Sequence, residues 1–225
     1  RTITVISRPL PDIEQVTIQA QDYVDYYDSD AGNTGGAYRN DDVDIEATSD
    51  TGGQYNVGWT VRDEWLEYEF ESSKATYVIT ARVASEVGGG KFRINVADKQ
   101  ITSENLPKTS GWQTYSTEVA GSFALNAGQQ RLRLTIVTGD FNLNWLSLDA
   151  IADADFDGVG DEFDKCPQTL EGAVVNEYGC PDTDSDGVDD SLDLCPDTPV
   201  GDIVDANGCT VIQPQDEVAA NNNIL

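Results

Sequence analysis

Two neighbouring stretches, Trp65-Leu-Glu-Tyr-Glu-Phe-Glu71 and Thr76-Tyr-Val-Ile-Thr-Ala-Arg-Val-Ala-Ser85, decide the fold of this 225-residue chain. Both are short and rich in β-branched and aromatic residues, which is typical of β-strands. Similar runs lie at 16–23, 91–96, 113–119, 130–137 and 142–150, with turn clusters rich in glycine between the strand-like text. Short strands without long helical periodicity predict an all-β domain over residues 16–150, a β-sandwich of the jelly-roll type.

Two acidic stretches after these strands repeat each other at an offset of 29 residues. Carboxylates at positions 1, 3, 5, 9 and 12, with glycine at position 6, match the spacing of a calcium loop, in which the carbonyl of position 7 is also a ligand. We therefore expect calcium at Asp153, Asp155, Asp157, Val159, Asp161 and Asp164, and again at Asp182, Asp184, Asp186, Val188, Asp190 and Asp193.

The four cysteines follow the same offset, as the pairs Cys166/Cys180 and Cys195/Cys209. A zinc site would need Cys-x-x-Cys or histidine spacing, and the chain contains no histidine. Equal local spacing predicts two disulfides, and with them an oxidising, extracellular location for a secreted protein.

Charge is distributed unevenly along the chain, whose net charge is −28. Residues 151–225 hold 19 acidic residues and one basic residue, whereas residues 1–150 hold 22 and 12. The acidic segment would repel itself without counter-ions, so we expect its folding to depend on metal. The acidic balance also argues against nucleic acid and membrane surfaces as partners. A first residue that is Arg1, and the lack of methionine, indicate a mature piece or fragment of a longer protein.

The repeated segment resembles thrombospondin type 3 repeats. The resemblance rests on Asp-x-Asp-x-Asp-Gly-x-x-Asp-x-x-Asp, followed by Cys-Pro and later Gly-Cys. It implies that residues 151–211 lack regular secondary structure, wrap around calcium and form a stiff spacer. The alternative is an acidic, solvated linker with no specific metal. Residues 1–15 and 212–225 are predicted to be linkers or, at the end, a frayed tail.

The β domain contains no histidine or cysteine, which removes Ser-His and Cys-His catalysis. A glycosidase-like carboxylate pair stays open on residue type alone. Trp59, Trp112 and Tyr55 lie beside glycines or turns, where aromatic side chains stack on ligands. Trp65 and Trp145 are flanked by strand residues, and we expect both to fill the core.

Residues 16–150 resemble carbohydrate-binding module family 6. The matching motifs are Ile18-Gln-Ala-Gln-Asp-Tyr23, Gly52-Gly-Gln-Tyr-Asn-Val-Gly-Trp59, Glu64-Trp-Leu-Glu-Tyr68, Gly111-Trp-Gln-Thr-Tyr115 and Phe141-Asn-Leu-Asn-Trp145. The resemblance implies a non-catalytic module in which Trp59 and Trp112 hold one sugar ring over Asn142. Tyr55, Asn56 and Asp41 are expected to line the same cleft. It also implies a structural calcium, here at Gln19 and Gln21. Strand alternation places Asp149 on the same outward face as Trp145 and Ser147, and we expect it to act as a compensating ligand from a neighbouring strand.

The stretch from Gly36 to Glu46 resembles modules attached to agar-degrading enzymes. We therefore predict a polysaccharide-binding fragment of a secreted polysaccharide-degrading enzyme, which binds agarose chain ends and is linked to a catalytic domain, with calcium as cofactor. Laminarin, xylan and cellulose are alternative ligands. A calcium-dependent adhesion protein with a protein partner and an agarase in its own right are the alternative functions.

Overall fold

The computed structural model describes residues 15–211, so the predicted linkers at 1–15 and 212–225 lie outside this range except for Gln15. The chain divides into two compact units, residues 1–153 and 154–225. Between residues 15 and 211 there are eleven β-strands and no helix, which confirms the all-β prediction. Accordingly, no helix in this range is long and apolar enough to cross a membrane.

Two antiparallel sheets form the first unit. The larger sheet has the order β3-β4-β11-β6-β9, with β1 also paired to β11, and the smaller has the order β2-β5-β10-β7-β8. The strands are β1 (Gln15–Gln19), β2 (Asp25–Tyr27), β3 (Ile45–Ala47), β4 (Tyr55–Val57), β5 (Trp65–Ser72), β6 (Ala75–Ala84), β7 (Lys91–Val96), β8 (Lys99–Thr102), β9 (Ser116–Leu125), β10 (Gly128–Thr138) and β11 (Asn142–Ile151).

The core lies between the sheets and is built from alternate residues of each strand. In β5, for example, Leu66, Tyr68 and Phe70 are buried in the core cluster. The expectation that Trp65 and Trp145 fill this core is wrong, because both belong to the other alternation and are half-buried. The guanidinium of Arg133 lies 3.9 Å from the centre of the Trp65 ring instead.

Four short strands, β2, β3, β4 and β8, were not predicted from the sequence, and the bounds of two predicted strands differ by three residues or more. The first ends at Gln19 rather than Tyr23, because a turn follows in which the Asp22 amide donates to the Gln19 carbonyl. The strand predicted at 113–119 begins at Ser116, after a turn closed by Thr114 and Gly111.

The second unit has almost no hydrophobic core. Of its residues up to 211, Phe156 and Cys180 alone are buried apolar side chains. The predicted disulfides Cys166–Cys180 and Cys195–Cys209 are confirmed, each with a Cα–Cα distance of 5.1 Å. Cross-links and polar contacts therefore replace apolar burial as the main stabilising forces here.

Gly139 gives a test of how tightly the loops of the first unit pack. A Cβ at this position would collide with the backbone carbonyl of Thr60, whose carbon would lie 2.8 Å away. We expect Gly139→Ala to lower the free energy of unfolding by about 1–3 kcal/mol in denaturant titrations. Gly111→Ala is the control, because its Cβ would meet nothing closer than Thr114 Oγ1 at 3.3 Å. Equal losses in both variants would contradict the packing described here.

Candidate functional site

A cleft of about 300 Å³ opens among the loops of the first unit. Trp59 and Trp112 lie on its walls, with 51% and 38% of their surfaces exposed, while Asn142 is buried in its lining. The structure thus brings together the three residues that the sequence placed in a sugar-binding cleft. The full lining comprises Glu46, Trp59, Trp112, Asp140, Phe141 and Asn142.

The backbone around Trp59 is strained and is fixed from both sides. Trp59 has a φ of 48°, a left-handed conformation that is costly for a bulky residue. The Gly58 amide before it donates to the Asp44 carbonyl at 2.9 Å. A Cβ on Gly58 would lie 2.8 Å from Asn142 Oδ1, so the absence of a side chain there leaves room for the asparagine.

Thr60, the residue after Trp59, is bonded to the segment before β11. Its hydroxyl donates to the Phe141 carbonyl at 2.8 Å and accepts the Phe141 amide at 3.2 Å. The Thr60 carbonyl also accepts the Asp140 amide at 3.2 Å. These contacts fix the position of Trp59 relative to Asn142, which follows Phe141 in the chain.

The loop that carries Trp112 is bonded to the bottom of the cleft. Asn142 Nδ2 donates to the Trp112 carbonyl at 2.8 Å. The next residue, Gln113, donates from Nε2 to Asn56 Oδ1 at 3.1 Å. Asn142 and Glu46 form the polar floor of the cleft. The second aromatic wall is therefore held by Asn142 in the floor and by Asn56 below it.

Glu46 is the central acceptor of this floor, and the sequence analysis did not single it out. Its Oε1 accepts side-chain amides from Gln113 at 2.6 Å, Asn142 at 3.0 Å and Asn56 at 3.4 Å. The sequence did contain a signal, because Glu46 alternates with the buried core residue Ile45 and so points away from the core. Since the Asn142 NH₂ group is engaged, the floor presents mainly acceptors to a ligand.

Tyr115 lies beside this floor and stays neutral. Burial raises its pKa to about 12, and the nearby Glu46 carboxylate also raises it. At physiological pH the phenol therefore keeps its proton and can donate a hydrogen bond.

The other predicted cleft residues do not line the cleft itself. Asn56 is fully buried below the floor. Tyr55, which alternates with Asn56 on β4, packs against Tyr38 with ring centres 5.0 Å apart and ring planes tilted by 46°. Asp41 accepts the Tyr23 hydroxyl with both carboxylate oxygens, at 2.8 and 2.9 Å. None of the three is among the residues that line the cleft.

The prediction that Asp149 joins Gln19 and Gln21 at one calcium site disagrees with the strand register. Gln19 pairs with Trp145, whereas Asp149 pairs with Gln15, four residues further along the antiparallel ladder. The Gln15 side chain donates to Asp149 there. Within residues 15–211, the Oε1 atoms of Gln19 and Gln21 and the Oδ1 atom of Asn144 are nevertheless buried without a hydrogen-bond partner. Amide oxygens carry no charge, and such ligands without a carboxylate fit calcium poorly.

The repeated loops bring carboxylates close enough together that they could hold a metal ion. Oxygens of Asp182, Asp184 and Asp186 lie within 4.8 Å of one another, and the same holds for Asp153, Asp155 and Asp157. Asp182 Oδ1 and Asp186 Oδ2 are buried without a hydrogen-bond partner in residues 15–211. These groups of acidic residues could therefore hold a metal ion.

Other predicted ligands in the loops have structural bonds. Both oxygens of Asp190 accept from Thr183, at 2.7 and 2.9 Å. Asp193 Oδ1 accepts a hydrogen bond from the Cys195 amide. It also lies against Gly208, as does Asp186 Oδ2, which would be 2.8 Å from a Cβ at this glycine. The first copy has corresponding bonds, in which Asp161 accepts the Ala154 amide and Asp164 accepts the Cys166 amide. The Val159 amide donates to Asp157, and the Val188 amide donates to Asp186 in the same way.

Residues 37–150 match the model of carbohydrate binding module family 6. The chain belongs to this family. Its first unit is therefore a non-catalytic carbohydrate-binding module, and the cleft between the tryptophans is its candidate ligand site.

Several known proteins are similar to this family 6 module. The alpha subunit of clotting factor G from Tachypleus tridentatus is 32% identical over 114 residues, which are 48% of this chain and 17% of that protein. The C-terminal module of the laminarinase LamC from Zobellia galactanivorans is 27% identical, with a TM-score of 0.49 over 60% of this chain and 98% of the module. A module of Cellvibrio mixtus lichenase 5A, solved with cellotriose, is 32% identical. The match has a TM-score of 0.48 and covers 60% of this chain and 95% of that module.

Replacing Asn142 by aspartate tests the hydrogen bonds of the floor. The change removes the NH₂ group that bonds Glu46 and Trp112 and places a second carboxylate beside Glu46. We expect Asn142→Asp to destabilise the module by about 1–3 kcal/mol and to increase acrylamide quenching of tryptophan fluorescence. Asn95→Asp is the matched control, since its side chain makes a single longer bond to Gln100 at 3.2 Å. An unchanged variant at position 142 would argue against the floor as described.

Proposed function

We propose that this chain is a non-catalytic part of a secreted polysaccharide-degrading enzyme, and that its cleft binds the end of an agarose chain. One observation carries the proposal: two exposed tryptophans flank a floor in which the buried Asn142 and the half-buried Glu46 offer hydrogen-bond acceptors. The C–H faces of a sugar ring stack on aromatic side chains, while its hydroxyl groups donate to the floor.

The chemistry of the cleft favours a neutral sugar. The Glu46 carboxylate and the Asn142 carbonyl accept hydrogen bonds, and Asp140 adds a second carboxyl group to the lining. A sulfated or carboxylated sugar would bring like charge to this floor and is therefore disfavoured. A volume of about 300 Å³ is at the small end for ligand pockets, which suits one ring rather than a length of chain.

Agarose is proposed because the stretch from Gly36 to Glu46 resembles modules attached to agar-degrading enzymes, and agarose is a neutral galactan. Similar modules have other ligands: one was solved in complex with cellotriose, and another binds a β-1,3-glucan. These glucans are the competing ligands. A linked catalytic domain would gain from the module because tethering raises its effective substrate concentration.

Calorimetric titration with oligosaccharides tests the ligand and the cleft together. Neoagaro-oligosaccharides should bind in the micromolar to millimolar range, and Trp59→Ala should weaken binding at least about tenfold by removing one stacking wall. Trp65→Ala is the matched control, because Trp65 lies on β5 and contacts Arg133 instead. Binding that survives Trp59→Ala unchanged would refute the cleft assignment.

Titrations with laminari-, xylo- and cello-oligosaccharides separate the remaining possibilities. Heat with one of these and none with neoagaro-oligosaccharides would keep the sugar site and replace the ligand. Heat with no sugar, together with tight binding to a protein, would favour the adhesion function. Release of reducing ends from agarose by the chain itself would contradict a purely binding role.

We also propose that the second unit binds calcium and serves as a stiff extracellular spacer. Clustered aspartates with buried, unpartnered oxygens support the metal, and the two disulfides support an oxidising compartment outside the cell. With so little apolar burial, this unit would depend on the ions for its folded shape.

Calcium removal should affect the two units differently. Terbium luminescence should report ion binding to the loops, and Asp182→Asn should weaken it, because Asp182 is 2% exposed and belongs to the carboxylate group. Asp189→Asn is the control, since this exposed side chain caps Ser191 outside that group. Chelation should increase proteolysis of residues 154–211 while sugar binding persists. Loss of sugar binding on chelation would contradict this division of roles.

A further inference from the structure

Two buried amide oxygens lie against the same glycine, Gly53, in the turn between β3 and β4. Gln19 Oε1 lies at the end of β1 and Asn144 Oδ1 lies on β11, and neither has a hydrogen-bond partner within residues 15–211. Both face Gly53, where a Cβ would collide with Asn144 Oδ1 and lie 2.6 Å from Gln19 Oε1. We call Gln19, Asn144 and Gly53 the amide site. Buried acceptors without a partner are destabilising, so this arrangement calls for a ligand.

The orientation of both amide groups is fixed by their nitrogens. Gln19 Nε2 donates to the Gly52 carbonyl at 2.7 Å, and Asn144 Nδ2 donates to Asp50 Oδ2 at 2.9 Å. Rotating either amide by half a turn would set its oxygen against another acceptor. A shift in the β11–β6 register between Leu143 and Trp145 leaves Asn144 out of the ladder. Such bulges commonly redirect a side chain.

The amide site lacks the negative charge that calcium requires. The carboxylate of Asp50, which accepts a hydrogen bond from Asn144, forms a pair of hydrogen bonds with Arg82 at 2.7 and 2.8 Å. These bonds lower the pKa of Asp50, and the carboxylate charge is balanced by the guanidinium. Calcium affinity depends on the number of charged ligands, and a buried divalent ion beside a balanced ion pair would be poorly stabilised.

We propose that the amide site binds a monovalent cation, Na⁺ or K⁺, in place of the calcium that the family resemblance implies. Uncharged carbonyl oxygens are sufficient for such ions, as in the potassium filters where they replace the hydration shell. The ion would hold the end of β1, the β3–β4 turn and β11 together, independently of any sugar in the cleft.

Thermal unfolding in different salts tests the proposal on the intact chain. All four tryptophans lie between residues 59 and 145, so their fluorescence reports on the first unit alone. Trp145 is beside the amide site, where its indole donates to the Thr51 carbonyl at 3.1 Å. With chelator present and ionic strength fixed, NaCl or KCl should raise the midpoint saturably, by about 2–4 °C over choline chloride. The salt with the larger shift identifies the ion.

Two results with the unaltered chain would overturn the proposal. Equal midpoints in sodium, potassium and choline would mean that water alone satisfies the oxygens. A larger rise of the tryptophan midpoint with calcium chloride than with either alkali salt would mean that the site prefers the divalent ion.

Gln19→Glu provides an independent arm, because it adds one carboxylate to the amide site. This variant should gain a calcium-dependent rise in the tryptophan midpoint and lose its preference for alkali ions. Gln54→Glu is the matched control, since it makes the same change on an exposed residue beside Gly53 and should respond as the unaltered chain does. A Gln19→Glu variant that is folded but has unaltered ion preferences would refute the assignment.

Discussion

The hydrogen bonds between Thr60 and Phe141 are the constraint on which the binding cleft depends. They join the loop after β4 to the start of β11, and each side of the joint carries a residue in a left-handed conformation, Trp59 at 48° and Asp140 at 65°. Backbone strain of this kind persists only where the surrounding structure fixes it. Gly139 is needed at the joint because the Thr60 carbonyl lies against it. The exposed aromatic wall is thus positioned by buried polar contacts rather than by its own packing.

The two units are stabilised by different forces. The sandwich buries a continuous core between its sheets, so its loops can hold exposed tryptophans and strained backbone without losing the fold. The repeat unit buries almost no apolar side chains and relies on disulfides and on carboxylates that cap backbone amides. Its stability therefore depends on redox conditions in a way that the stability of the sandwich, which contains no cysteine, does not.

The sequence predicted the features that depend on local pattern. Strand-forming runs, the repeat and equal cysteine spacing led to the sandwich and both disulfides, because these signals lie in the order of residues. Alternation along β5 also contained the information that Trp65 faces outward, since Leu66, Tyr68 and Phe70 occupy the core positions. The aromatic character of Trp65 alone does not place it in the core.

Features that depend on register could not be predicted in this way. The position of Asp149 opposite Gln15, and not opposite Gln19, follows from how β1 aligns with β11. The irregular pairing at Asn144 depends on contacts between strands far apart in the sequence. The role of Glu46 likewise arises from three amides contributed by β4, β11 and the loop before β9. No local pattern specifies such a convergence.

One structural device is used twice on β11, and it connects the cleft with the amide site. Asn142 donates its NH₂ group to Glu46 and turns its oxygen toward Gly58. Asn144 donates to Asp50 and turns its oxygen toward Gly53. In each case a carboxylate from the β3–β4 hairpin or its turn orients the amide, and a glycine leaves room for the oxygen. In this way an acidic chain can present neutral amide oxygens to a ligand, because its carboxylates also orient the amide groups through hydrogen bonds.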